Sequence, residues 1–124
     1  MSLLRVMIVD DNEGDQFLCR YVINQHENDI DIIEAYDGQN ALELLEDIEP
    51  PNIIFLDINM PRMDGFEFLE QYEKKYSSKA SKIILLTSSV IEREMLKGRF
   101  FPVIDDYIEK PLSAENLASA INSN

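Results

Sequence analysis

The sequence predicts an α/β domain: a doubly wound sheet of five parallel strands, in the order 2-1-3-4-5, with five helices on its faces. Three observations predict it. The apolar runs Leu3–Val9, Ile53–Leu56 and Ile83–Leu86 lack the alternation of a half-exposed strand, so they read as strands buried on both faces of a parallel sheet. Strand-like and helix-like segments alternate five times, and right-handed crossovers turn that alternation into a parallel sheet covered on both sides. The runs also end alike, in polar or charged residues: Asp10 and Asp11, Asp57, Thr87 and, after Tyr107-Ile108-Glu109, Lys110.

Element by element, the first strand is Leu4–Val9 and the first helix runs from Glu13 to about Gln25. In that helix Cys19 sits among Phe17, Leu18, Tyr21 and Val22, which suggests a packing face around a buried, inert thiol. Asn24, His26, Asn28 and Asp29 mark a polar turn, with a solvated His26, into the second strand, Ile30–Ala35. Asp37 can cap the second helix by accepting from its free amides. That helix carries Ala41, Leu42, Leu45 and Ile48 on one face and is expected to stop at Pro50-Pro51, which have no amide hydrogens to donate. The third strand is Ile53–Leu56. Asp64-Gly65 opens the third helix, with Phe66, Leu69 and either Phe68 or Tyr72 inward. A polar loop, Ser77–Ser81, leads to the fourth strand, Lys82–Leu86. A short fourth helix is expected over Glu92–Gly98, interrupted by Phe100-Phe101-Pro102, before a fifth strand near Asp106–Glu109. Ser113 caps the last helix, which turns Leu117, Ala120 and Ile121 inward. Five such units fit the flavodoxin-like strand order, whose switch point lies between strands 1 and 3. Ligands bind beyond the carboxyl ends of strands at such a point, and these two strands end in Asp10, Asp11 and Asp57.

Composition limits the partners. The chain of 124 residues is expected to be one domain, residues 1–124, with no effector domain. Eleven basic against 24 acidic residues give a net charge of −13, with no cluster of Lys and Arg to displace counterions from nucleic acid. The same acidity repels anionic membrane, and much of it (Glu43, Glu46, Asp47, Glu49, Glu67, Glu70, Glu73) reads as solvated helix surface. No stretch reaches the length of a membrane span, and no signal peptide is seen. One cysteine excludes an internal disulfide, so a cytoplasmic location is expected.

Three carboxylates gathered at one sheet end repel each other: two unit charges about 4 Å apart cost roughly 4 kcal/mol at an effective dielectric of 20. A hard cation with oxygen ligands relieves this, and Mg²⁺ suits a site of few carboxylates shared with waters and phosphate oxygens. Beside such a cation Asp57 can act as a nucleophile toward phosphorus, with Lys110 as a point charge and Thr87 as a hydroxyl donor to the phosphoryl oxygens. Taken singly, each residue has a plainer reading: helix cap, turn, strand end, surface lysine. All four plain readings would have to coincide in this order and spacing.

The residues Asp10-Asp11, Asp57-Ile58-Asn59-Met60-Pro61-Arg62-Met63-Asp64-Gly65, Thr87-Ser88, Tyr107 and Lys110-Pro111 resemble a response-regulator receiver domain, in order and over nearly the whole chain. The resemblance implies that Asp57 is the phosphoacceptor and that Asp10, Asp11, Asp57 and the Asn59 backbone carbonyl hold Mg²⁺. It implies that Thr87 and Lys110 bind the phosphoryl group, that Tyr107 is an aromatic switch, and that the Lys110–Pro111 bond is often cis. By the same resemblance the donor is a histidine kinase or a histidine phosphotransfer protein. The output is then a downstream protein docking on the face of the fourth helix, fifth strand and fifth helix, a face also open to homodimerisation. Such a domain catalyses only its own phosphorylation and dephosphorylation, as the stand-alone receivers of chemotaxis and phosphorelays do. The chain departs from the family's pattern at Phe100-Phe101-Pro102, where a plain helix with small residues is commoner.

Two other classes fit less well. A haloacid-dehalogenase-like phosphatase needs Asp-x-Asp, where this chain has Asn59 second. A flavodoxin-like FMN carrier needs a Ser/Thr/Gly-rich loop after the first strand, where Asp10-Asp11-Asn12-Glu13 would repel the phosphate.

Overall fold

The computed structural model describes residues 4–26, 29–57, 65–76, 80–87 and 104–122. Five strands, β1 (Leu4–Val9), β2 (Ile30–Ala35), β3 (Ile53–Leu56), β4 (Lys82–Thr87) and β5 (Ile104–Glu109), form one parallel sheet in the order β2-β1-β3-β4-β5. Among the described residues there are four helices: α1 (Glu13–Asn24), α2 (Gly38–Glu46), α3 (Gly65–Lys75) and α4 (Ala114–Asn122). The expected helix over Glu92–Gly98 and the Phe100-Phe101-Pro102 stretch lie outside the described residues.

The unbroken apolar runs are buried on both faces, as a parallel sheet requires. Met7, Val9, Ile54, Leu56, Ile83 and Leu85 face α2 and α3, where Ala41, Leu45, Phe68, Leu69 and Tyr72 complete one core. Val6, Ile8, Ile53, Phe55, Ile84 and Leu86 face α1 and α4, where Cys19, Ile23, Leu117 and Ala120 complete the other. Successive residues of a strand point to opposite faces, which divides each run between the two cores. Two expected caps form: the Asp37 carboxylate accepts from the Asn40 amide at 2.7 Å, and Ser113 Oγ accepts from the Asn116 amide at 3.1 Å. The seven acidic residues assigned to helix surface are all exposed.

Several expectations need correction. β5 starts at Ile104, two residues early, because Asp105 is accommodated as a register shift opposite Ile83 and Ile84, its carboxylate accepting from the Ile83 amide at 2.8 Å. β4 extends one residue further, to Thr87. α2 ends at Glu46, before the proline pair, and Ile48 packs on the core from outside the helix. In α3 both Phe68 and Tyr72 are buried, their rings 5.8 Å apart; the Phe66 side chain lies outside the described set. The largest correction falls on α1. Phe17, Leu18 and Tyr21 are 54%, 48% and 57% exposed, and the buried face consists of Gln16, Cys19 and Ile23. The reason is register: Gln16 bonds inward under the sheet end, which rotates the neighbouring aromatics into solvent. His26, in the turn that follows α1, is half-buried.

Candidate functional site

The residues that end the strands are held there by the sheet's own ladder. The Asp10 amide donates to the Ala35 carbonyl (3.0 Å), that of Asp57 to Val9 (2.9 Å), and that of Lys110 to Thr87 (2.9 Å). Parallel pairing therefore brings positions 10, 57, 87 and 110 to one end of the sheet. Asp10, Asp57 and Thr87 are buried, Asp11 is exposed and Lys110 is half-buried.

Asp10, Asp11 and Asp57 each offer a carboxylate oxygen within 4.8 Å of the other two. A cation with oxygen ligands at about 2.1 Å spans a set of this size after small side-chain movements. The donor set is all oxygen and carries three formal negative charges, so it fits a hard divalent ion such as Mg²⁺ and not a soft one. The Asn59 carbonyl assigned to the same ion lies outside the described residues.

Lys110 Nζ enters this cluster from the end of β5. It lies 3.1 Å from Asp10 Oδ2 and 3.7 Å from Asp57 Oδ1. Its shortest contact, 2.8 Å, is to Asp15 Oδ2. Burial works against the ammonium, yet the hydrogen bond to Asp15 and the charges of Asp57 and Asp10 outweigh it and hold the lysine above its ordinary pKa. For Asp10 burial prevails over the Asn12 amide and Lys110, so its carboxyl titrates above the usual aspartate value. The Lys110–Pro111 bond is cis.

Two residues beside the site were not anticipated. Asp15 lies in the first turn of α1, where its amide donates to the Asn12 cap at 2.9 Å; its only signal in the sequence is its nearness to Asp10-Asp11. Gln16, 1% exposed, directs Nε2 to the carbonyls of Ile8 (3.1 Å), Asp10 (3.0 Å) and Ala35 (2.8 Å), tying the ends of β1 and β2 together. No pattern in the sequence separates it from a solvated helix glutamine.

Thr87 and Tyr107 share a face of the sheet. Thr87 follows Ile83 and Leu85 in alternation, and Tyr107 pairs beside Leu85 and packs on the same core, half-buried. On the opposite side of the site, a cleft of about 290 Å³ opens between α1 and the β5–α4 loop, bounded by Asp15, Leu18, Leu86, Lys110, Pro111 and Leu112. Elsewhere on α1 the exposed Phe17 and Tyr21 rings lie 6.4 Å apart, with the Arg20 guanidinium 5.6 Å over Phe17. Among the described residues, no helix is long and apolar enough to cross a membrane.

Residues 6–122 match the family model of the response regulator receiver domain. Protein PilG of Pseudomonas aeruginosa is 34% identical over 120 residues, covering 97% of this chain and 86% of PilG. A two-component response regulator from Cytophaga hutchinsonii superposes with a TM-score of 0.87 at 27% identity, covering 98% of this chain and 96% of that one. The chemotaxis protein CheY4 of Vibrio cholerae shares the fold, with a TM-score of 0.80 at 23% identity and 97% of each chain covered.

Proposed function

The chain belongs to the response regulator receiver domain family of two-component signalling, and from that premise we propose that Asp57 is its phosphoacceptor. One observation carries the reading: Asp57 is buried at the switch point, its carboxylate gathered with those of Asp10 and Asp11 and 3.7 Å from Lys110 Nζ. A carboxylate so placed needs only an electrophilic phosphorus brought in line.

In this reading an Asp57 oxygen forms the new bond to phosphorus as the bond from phosphorus to the donor's imidazole nitrogen breaks. The electron pair stays with the imidazole, which takes up a proton. Water later attacks phosphorus, returns inorganic phosphate and restores the carboxylate. Asp10, Asp11, Asp57 and the Asn59 carbonyl would hold Mg²⁺, which when bound supplies positive charge to the phosphoryl oxygens. The Lys110 ammonium and the Thr87 hydroxyl bind the remaining oxygens. The domain thus acts on itself and not on a metabolite.

A histidine kinase or histidine phosphotransfer protein is the donor that fits. The exposed Leu18, which lines the cleft at Lys110, together with Phe17 and Tyr21 exposed on the same helix, gives such a partner an apolar surface near Asp57. A cytoplasmic location accords with the single buried thiol, Cys19.

Output follows from the face that Thr87 and Tyr107 share. Moving a two-state population from 1:99 to 99:1 takes about 5.5 kcal/mol. Two hydrogen bonds to a charged phosphoryl group, from Thr87 and Lys110, supply roughly 3–6 kcal/mol if made only in the active state. Drawing Thr87 toward the phosphoryl group opens space for Tyr107 to turn in, which changes the surface offered to a downstream protein. A Thr87→Ala variant that still showed full phosphorylation-dependent partner binding would refute this switch.

The test of the phosphoacceptor is direct. Incubation with Mg²⁺ and acetyl phosphate or phosphoramidate should add one phosphate to the intact mass, dependent on Mg²⁺ and absent in Asp57→Asn. No adduct on the wild-type chain, with no beryllofluoride complex either, would leave a receiver fold that signals by binding alone.

A further inference from the structure

Lys110 has three carboxylates within reach, and the nearest is not one that the phosphoacceptor reading uses. We infer that Asp15 is the resting partner of Lys110 and that its carboxylate sets how readily the ammonium is released to a phosphoryl group on Asp57. The inference rests on that reading of Asp57.

The geometry carries it in three steps. Lys110 Nζ is 2.8 Å from Asp15 Oδ2, against 3.1 Å to Asp10 and 3.7 Å to Asp57. Asp15 stands outside the converging set of Asp10, Asp11 and Asp57, so a cation held by that set leaves Asp15 as the carboxylate that competes with a phosphoryl oxygen for the ammonium. The Asn12 cap fixes the Asp15 backbone, while Lys110 leaves β5 along the cleft wall, 95 residues away in sequence. The contact therefore bridges two separately anchored elements and does not follow the lysine as it moves. Asp15 is a positioning residue: it touches Lys110, not the phosphorus.

Removing it should make the lysine more available. A hydrogen bond to a charged group, discounted because the Asp15 side chain is 36% exposed, corresponds to roughly a three- to tenfold effect. Asp15→Asn keeps the size of the side chain and the backbone amide that the cap uses. With Mg²⁺ present, this variant should bind beryllofluoride roughly three- to tenfold more tightly than wild type by fluorine NMR, and phosphoramidate should phosphorylate it correspondingly faster. Glu13→Gln removes an exposed charge from the same turn and should leave both readouts within about 1.5-fold of wild type. In a Lys110→Met background the benefit of Asp15→Asn should vanish, which a mere reduction of local negative charge would not produce.

Unchanged or weaker beryllofluoride binding by Asp15→Asn would overturn the inference while leaving Asp57 as phosphoacceptor. So would a gain that survives in the Lys110→Met background, or an equal gain in Glu13→Gln. A wild-type chain that binds no beryllofluoride and forms no adduct would overturn both readings.

Discussion

Replacing Asp57 with Asn should stabilise the fold while abolishing the chemistry proposed for it, and the size of the gain follows from the site's distances. At an effective dielectric of 20, the attraction of Asp57 to Lys110 at 3.7 Å is about 4.5 kcal/mol. Repulsion from Asp10, whose nearest oxygen lies within 4.8 Å, is at least about 3.5 kcal/mol on the same scale. Asp11 is exposed, and screening roughly halves its share. Attraction and repulsion among these groups nearly cancel, so together they offset little of the cost of holding a carboxylate at a position only 8% exposed. Asn keeps the shape without the charge, and Lys110 keeps Asp15 and Asp10. The expected gain is about 1–2 kcal/mol, or roughly 3–8 °C in Tm for a chain of this length. Thermal and urea unfolding with EDTA would measure it. With saturating Mg²⁺ the order should reverse, because a ligand at about 100 times its Kd adds about 2.7 kcal/mol to the wild type and less to a variant with a weakened site. An Asn variant less stable than wild type in EDTA would refute the reasoning, since it would make Lys110 the dominant influence on Asp57.

Three further outcomes are expected. Burial raises the Asp10 pKa in the folded chain, so the native state holds that proton more tightly than the unfolded one and stability falls as pH rises between the ordinary and the raised values. Asp10→Asn should therefore be more stable than wild type at neutral pH in EDTA, and urea titrations should show the difference closing as pH drops below the ordinary aspartate pKa. Burial, reinforced by the charge of Asp10, pushes the Cys19 thiol up to about 12 against the opposing effect of Lys110, which leaves roughly a thousandfold fewer thiolates than an unperturbed cysteine. Iodoacetamide at mildly alkaline pH should spare native Cys19 and label it readily in urea; fast native labelling would contradict this. Gln16→Met should cost about 1–3 kcal/mol in urea unfolding, because three strand-end carbonyls lose a buried donor, and it should weaken Mg²⁺ binding by loosening the backbone of Asp10.

What was legible beforehand depended on whether the signal was local. Strand runs are local: β1 and β3 lie where hydrophobicity placed them, and the caps at Asp37 and Ser113 depend only on a side chain reaching an amide three residues on. The early start of β5 was hidden because Asp105 looks like loop composition, whereas its carboxylate takes the place of a ladder partner for Ile83. The facing of α1 was misread for a similar reason. Apolar residues at positions 17, 18 and 21 look like a core stripe, but the helix instead turns Gln16 inward, where Nε2 meets three carbonyls, and exposed apolar side chains are an ordinary feature of a protein surface.

By itself, then, the sequence determined the alternation of strands and helices, their parallel order, and the convergence of positions 10, 11, 57, 87 and 110 at one sheet end. The alternation and the parallel pairing follow from hydrophobic periodicity and the handedness of the crossovers, while the order and the convergence follow from the fit of five such units to the flavodoxin-like pattern. The tertiary structure alone decided which carboxylate Lys110 rests against, which face of α1 meets solvent, and that Thr87 and Tyr107 share a side of the sheet. Those outcomes are set by distances of a few ångströms between residues up to 100 positions apart, and no pattern along the chain encodes them.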